Sequence, residues 1–447
     1  CSSSCPSSWV HGLYSFSWYG SVGAGHFCKV VEQMGGGKLL DNGWFVRDVK
    51  GSLALIIPDE PIFGIDLVEI RKEVSSELGA YCHIVPENLI RRCDHSYGES
   101  GHLALPEYVD IGGGVERKVK VIDQRSNGQD WLSAPNFCET EGERPPRLVF
   151  WSLKGGVGRT TALTVLAANL AANGLNVLVV DLDLEAPGVG DQLLRQQDKP
   201  RFGVLDFLSE LRVGEIDVQS MLINAVGTSS LTQGRGLVHV CPAAGAQTYE
   251  NPNGFLSKLF RAYGNQEIDG VTKTFAERIN MLIDGLCSLS RYDAVLIDAR
   301  AGLSESTAAS ILNLGGDVLL FGHNTPQTFS GYRYAFAHLS RFVLNGDLEW
   351  ILRIKMVHAK AGLSRQSQEL FRDSAFEIFS SYLYVSDDDE ESFSLEDLEA
   401  PHSPWVILDD GNFRDFNPVE NPEMLGSSVA NSAFGDFIAS CKERLRV

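Results

Sequence analysis

The chain lacks any apolar run long enough to span a bilayer, and it shows no secretory leader pattern. The sequence therefore predicts neither a membrane-crossing helix nor an exported product. It is also short of positive charge. Lys and Arg number 38 against 58 Asp and Glu, for a formal net charge of −20. A surface of that sign repels a polyanion, which argues against indiscriminate nucleic-acid binding, and no Lys/Arg run marks a local basic patch. The nine cysteines are scattered, with no C-x-x-C pair, no zinc-ligand spacing and no disulfide framework. Such thiols suit a reducing cytoplasm, the expected location. Internal repeats are absent. The densest charge run, Asp387-Asp388-Asp389-Glu390-Glu391, is acidic and reads as a solvated loop. The first residue is cysteine rather than methionine, so the start is read as truncated or misassigned, and Cys1–Cys5 receives no structural reading.

What is present is a globular composition, 44% hydrophobic and 21% charged, over 447 residues, enough for two domains. One segment stands out. Ser152-Leu153-Lys154-Gly155-Gly156-Val157-Gly158-Arg159-Thr160-Thr161 follows the apolar run Leu148–Trp151 and precedes the alanine- and leucine-rich run Ala162–Ala172. Strand, glycine-rich turn and helix in that order present a ring of backbone N–H groups at a helix N-terminus. Glycine lets such a backbone close around an anion without Cβ clashes. A hydroxyl such as Thr160 then stands where it can hold Mg²⁺, and the basic residue before it, Arg159, faces the terminal phosphates.

Two later segments agree. After Gly174 and Asn176, Val177–Val180 is a continuous apolar run of the buried parallel-strand kind that ends in Asp181-Leu182-Asp183-Leu184-Glu185-Ala186-Pro187-Gly188. Acids at such a strand end point into the crevice where doubly wound sheets bind ligands; the plainer alternative is a pair of acids capping a strand. Tyr292-Asp293-Ala294-Val295-Leu296-Ile297-Asp298-Ala299-Arg300-Ala301-Gly302 has the form of a Walker B strand, four apolar residues leading into Asp298. That carboxylate would hold a Mg²⁺-bound water, since Mg²⁺ takes oxygen ligands and keeps several waters.

These three segments, in order, resemble the ParA/MinD family of deviant Walker A ATPases, and the Arg159 form resembles its KGGVGR-motif variants. Two departures from the general P-loop stand in this chain: Leu153 replaces the opening glycine, and Arg159 replaces lysine. The resemblance implies a P-loop NTPase, SIMIBI-like fold and ATP with Mg²⁺ as cofactors. It implies that Gly155, Gly156, Val157, Gly158, Arg159, Thr160, Thr161 and Gly302 bind nucleotide, and that Thr160, Asp181 and Asp298 surround the metal. Catalysis would fall to Asp183, orienting the attacking water, to Arg159, and to Lys154, reaching the nucleotide of a second copy in an ATP-dependent homodimer. Arg300 stands where the family usually has proline; it would contact phosphate or pair with an acid such as Glu305. The scattered cysteines count against the iron–sulfur and nitrogenase-like branch.

From residue 147 onward, strand and helix patterns alternate, which predicts an α/β fold, a doubly wound, mostly parallel sheet covered on both faces. Strands are expected near Leu148–Trp151, Val177–Val180, Leu237–Cys241, Val295–Ile297, Val318–Phe321 and Ile354–His358. Helices are expected near Thr160–Asn173, Val204–Leu211, Phe275–Ser288, Ser304–Leu314, Ser330–Phe342 and Gln366–Tyr382. The charged, proline-containing stretch 139–146 reads as a linker. Before it, residues 1–138 read as a smaller N-terminal α/β domain of unknown role, legible from about residue 40 to about residue 135. Its signals are a strand at Ser52–Ile57, a helix over Ile65–Leu78 with Leu67, Ile70, Val74 and Leu78 on one face, and a strand at Val119–Ile122.

Weaker candidates complete the reading. His323 and Asn324 follow an apolar strand whose end, by the resemblance, lies near the nucleotide; a loop histidine satisfied by its surroundings is the plainer alternative. His358-Ala359-Lys360 ends the next strand, where the family places an adenine-contacting residue. Pro242-Ala243-Ala244-Gly245 reads as a turn at the rim of the site or simply as a turn. The terminal stretch Phe434–Arg446 reads as a core-packed helix rather than a membrane-binding one. The expected function is an ATP-binding, slowly hydrolysing switch whose dimerisation controls an unidentified protein partner. Two alternatives stand beside it: a nucleotide-binding regulatory module without hydrolysis, and a DNA- or membrane-associated positioning ATPase.

Overall fold

The computed structural model describes residues 20–47, 53–58, 65–78, 89–92, 105–112, 114–123, 130–132, 144–210, 217–231, 235–264, 266–268, 271–343, 349–384 and 393–447. Cys1–Cys5, the acidic run 387–391 and most of the expected linker lie outside the described residues. The chain divides into two compact units, Cys1–Leu132 and Ser133–Val447.

The first unit contains α1 (Gly20–Gln33), α2 (Gly37–Asn42), β1 (Trp44–Arg47), β2 (Leu53–Ile57), α3 (Leu67–Leu78), β3 (Ile90–Arg92), β4 (Leu105–Asp110) and β5 (Glu116–Asp123). The strands form one mixed sheet in the order β3-β2-β1-β5-β4. The expected helical periodicity is realised in α3, where Ile70, Val74 and Leu78 are buried and Leu67 packs against the same core. Phe27, Cys28 and Val31 of α1 join that core. Burial raises the pKa of the Cys28 thiol to about 12, which makes it a packing residue rather than a nucleophile.

The second unit runs β6 (Arg147–Ser152), α4 (Arg159–Ala172), β7 (Val177–Asp181), α5 (Val189–Leu193), α6 (Val204–Glu210), α7 (Val218–Ile223), β8 (Gly227–Thr228), β9 (Val238–Cys241), α8 (Ala246–Glu250), α9 (Phe255–Tyr263), β10 (Gln266–Ile268), β11 (Val271–Lys273) and α10 (Phe275–Leu289). It continues β12 (Ala294–Asp298), α11 (Glu305–Ala308), β13 (Asp317–Gly322), α12 (Pro326–Val343), β14 (Ile354–Ala361), α13 (Arg365–Tyr382), β15 (Trp405–Leu408) and α14 (Ser427–Leu445). Eight strands form the main sheet in the order β15-β14-β13-β6-β12-β7-β9-β8. All neighbours are parallel except β8 against β9. The expected doubly wound α/β sheet is present, with the smaller sheet in the N-terminal unit.

Strand β6 lies between β12 and β13. The chain leaves β6 for β7 on one side and reaches β13 on the other, so a switch point opens at the C-terminal end of β6, where such sheets bind ligands. Register brings the acids together: Asp298 pairs with Phe150 on one side and with Asp181 on the other.

Local chemistry sets the element ends. Thr274 and Glu277 form a reciprocal capping box at the start of α10. The C-terminal helix is core-packed, as its sequence suggests: Ala430, Phe434, Phe437, Ile438, Cys441 and Leu445 are buried in the same cluster as Phe150 and Phe321. A fully buried side chain of the Phe or Leu kind contributes about 1.5–3 kcal/mol, so α14 is integral to the unit. One expected helix differs. Ser304–Leu314 is a short α-helix that passes into a π-turn at Ala309–Asn313. No described helix is long and apolar enough to cross a membrane.

Candidate nucleotide site

The loop between β6 and α4 is held from both sides. Trp151 Nε1 donates to the Gly302 carbonyl at 3.0 Å, and the Gly302 N–H donates to the Ser152 carbonyl at 2.9 Å. These bonds fasten the exit of β12 to the base of the loop. Within it, Gly156 and Gly158 adopt φ of +78° and +92°, values that a residue with a Cβ rarely takes. A Cβ built at Gly155 or Gly156 would meet no atom within 4 Å, so the space over the loop is open. The N–H groups at the start of α4 have no intrahelical acceptor, and with that space they form an anion cradle.

Inside the loop the chemistry is different. Arg159 is 7% exposed. Its Nε donates to Asp298 Oδ1 at 2.7 Å, Nη2 to Asp183 Oδ2 at 3.0 Å and Nη1 to Ser152 Oγ at 3.2 Å. Burial disfavours its charge, but Asp298 and Asp183 outweigh that effect and shift its pKa upward. Thr160 Oγ1 donates to Asp298 Oδ2 at 2.7 Å. Asp181 is fully buried; its carboxyl accepts the N–H groups of Asp183 at 3.0 Å and Gly188 at 3.1 Å. Desolvation, with the neighbouring Asp298 second, pushes Asp181 up to about 8. Burial also raises Asp183, against the pull of Arg159.

All the strong candidates converge on this place: Lys154 through Thr161, Asp181, Asp183, Asp298 and Gly302. The donors fit Mg²⁺, a hard cation that takes oxygen: the Thr160 hydroxyl, the Asp298 carboxylate, and Asp183 Oδ1, which is buried with no hydrogen-bond partner among the described residues. Arg159 is the departure from expectation. Its guanidinium faces the acids rather than the open side of the loop, because it is the cation that neutralises two buried carboxylates.

On the open side of the loop Lys154 is exposed and lines the cleft, and its Nζ donates to Gln327 Oε1. Other candidates fall elsewhere. Arg300 pairs with Glu185, not with the expected Glu305, and Tyr263 also donates to Glu185 at 3.3 Å. Asn324 donates to the Ser367 carbonyl at 3.1 Å, toward α13. His358 is buried and stacked on Phe371 with ring centroids 4.1 Å apart; burial, with His323 second, lowers it to about 4, so it is neutral. Pro242 and Ala243 cap α6 by accepting from Val204 and Leu205, each at 2.9 Å.

The loop opens into a cleft of about 430 Å³ whose far wall includes Ile407, Asp409, Phe413, Arg414 and Phe416. Sequence reasoning missed this wall. Its one local signal was the spacing of Phe413 and Phe416 after a short apolar run.

Residues 148–358 match the family model described as "CobQ/CobB/MinD/ParA nucleotide binding domain". The matched stretch contains the loop, both acid-tipped strands and the first part of β14, through His358. Among solved structures, the cell division ATPase MinD of Pyrococcus furiosus is 19% identical, covers 67% of this chain and 100% of its own, and has a TM-score of 0.41. The septum site-determining protein MinD of Pyrococcus horikoshii, complexed with Mg-ADP, is 18% identical, covers 67% and 95%, and has a TM-score of 0.37. A Cyanothece McdA complex with ATP is 14% identical, covers 68% and 98%, and has a TM-score of 0.41. A search of curated proteins by sequence gave no match.

Proposed function

We propose that the unit Ser133–Val447 binds ATP with Mg²⁺ and works as a slowly hydrolysing switch whose ATP-dependent dimerisation controls a protein partner. The observation that carries this reading is the meeting of an open glycine loop with Thr160 and Asp298, 2.7 Å apart, beside Asp181 and Asp183. The loop amides bind the phosphates. Thr160 and Asp298 hold the metal, which supplies charge neutralisation at the phosphate oxygens. Asp181 supports Asp183 through its backbone N–H, and Asp183 orients a water for attack. The aromatic wall of the cleft receives the base. Lys154 is exposed at the mouth and reaches a second copy's nucleotide. Such catalysis rests on positioning and electrostatics, so few side chains are needed.

The test is calorimetry of the full chain with Mg-ATP, followed by turnover and by light scattering with and without nucleotide. Tight binding, slow turnover and an ATP-dependent rise in mass are expected; a chain that stays monomeric with ATP bound contradicts the switch. One observation favours a second reading, a regulatory module that binds nucleotide without hydrolysing it. In the ligand-free chain Arg159 is bonded to Asp183 and Asp298, so its guanidinium must exchange partners before it can serve a transferring phosphate. Binding with no turnover would select it.

A further inference from the structure

Arg159 engages all three guanidinium nitrogens on Asp298, Asp183 and Ser152. In the ligand-free chain it is the cation of two buried carboxylates. The end of β14 brings a different cation to the open side of the loop.

Strand β14 loses its register with β15 between His358 and Ala361. At this bulge Lys360 takes φ of +50°, the left-handed region that non-glycine residues seldom occupy. Ala359 and Ala361 stay buried at 2% and 1% exposure, and Lys360 is turned out. Bulges of this kind re-aim a side chain and recur beside active sites. Here the side chain is aimed at the loop: Lys360 Nζ donates to the Gly156 carbonyl at 2.9 Å, and its Cε passes 3.7 Å from a Cβ built on Gly158. Lys360 lines the same cleft as the loop amides. Among the described residues it forms no ion pair, and its one hydrogen bond leaves two of its three N–H donors for a ligand.

We propose that Lys360 is a phosphate-binding residue, supplying an ammonium from β14 beside the loop. This rests on the nucleotide reading above and deepens it. A lysine suits the task because it is a compact charge on a long stem, able to follow the phosphates as the nucleotide enters. Its bond to Gly156 holds it at the rim until then.

Calorimetry with Mg-ATP and Mg-ADP on the full chain tests this, using Lys360→Met and Lys360→Arg at two salt concentrations. Loss of one charge-assisted contact corresponds to about ten- to hundred-fold weaker binding, which is expected for Lys360→Met with both nucleotides. Lys360→Arg should stay within a few-fold of wild type. The wild-type affinity should fall more steeply with salt than that of Lys360→Met, because salt screens the missing contact. Wild-type affinity in Lys360→Met overturns the proposal and leaves the nucleotide reading standing. Equal losses in both variants with an unchanged salt response also overturn it, reducing Lys360 to a prop for the loop backbone. No binding by the wild-type chain overturns the nucleotide reading itself.

Discussion

The two sides of the β6–α4 loop carry opposite kinds of charge. On the inner side, Arg159, Asp183, Asp298 and Asp181 are wholly or largely buried and bonded to one another or to backbone. On the outer side, Lys154 and Lys360 are exposed and, among the described residues, hydrogen-bond to neutral oxygens, of Gln327 and Gly156. The inner charges are paired with one another or with backbone, apart from Asp183 Oδ1, which has no hydrogen-bond partner among the described residues. The outer ones have no ion-pair partner among the described residues. The two letters that look alike in the motif, Arg159 and Lys154, therefore do different work. One sits in a low-dielectric network where losing a partner is costly; the other sits in water where its partner is weak.

Substitutions break this comparison in graded ways. Removing Arg159 acts on the inner side. Arg159→Ala should cost about 3–5 kcal/mol of folding stability in the absence of nucleotide, the usual penalty for orphaning a buried ion-pair partner. Urea unfolding measures it, and a loss under 1 kcal/mol would show that the network is not carrying the loop. The next effect is on turnover. Asp183→Ala should lower ATP hydrolysis by about a hundred-fold or more while nucleotide affinity stays within a few-fold, since a water-orienting group acts in the transition state. Unchanged turnover would remove Asp183 from that role.

The third effect is on pH. Asp181 has a folded pKa of about 8 against an ordinary 3.8, so the folded state holds a proton that the unfolded chain releases. The resulting stability is fully present below the ordinary value and is lost as pH rises through the folded one. Asp181 therefore contributes a loss of stability from about pH 5 to about pH 8, read as the difference between the unfolding profiles of wild type and Asp181→Asn. A difference that stays constant over this range contradicts the assignment. The smallest effect belongs to the surface. The Arg300–Glu185 pair is 29% and 36% exposed, so Arg300→Ala should change stability by no more than about 1 kcal/mol. A larger loss would mean that this pair anchors the loop after β7.

Legibility in the sequence followed the same physics. Strands β6, β7 and β12 are buried on both faces, so each reads as an unbroken apolar run ending at the site. Strand β15 has four residues at the sheet edge, close to Pro401 and Pro404, and gave no such signal. In the first unit, α3 declared itself through its stripe of Ile70, Val74 and Leu78. Helix α1, Gly-Ser-Val-Gly-Ala-Gly at its start, has weak helix propensity and did not. The site acids and loop were found because each sits at the end of a legible strand. The partner of Arg300 and the aim of Lys360 were not, because both depend on contacts between distant segments and, for Lys360, on a bulge that strand periodicity cannot reveal.

The central claim is that the glycine loop at the head of α4 cradles the phosphates of ATP. Calorimetry of Mg-ATP against wild type and Gly158→Val tests it most directly, because the left-handed φ of +92° at Gly158 is closed to a β-branched residue. One nucleotide per wild-type chain and no measurable binding to a folded Gly158→Val are expected. Equal affinities in the two proteins, or none in the wild type, would contradict it.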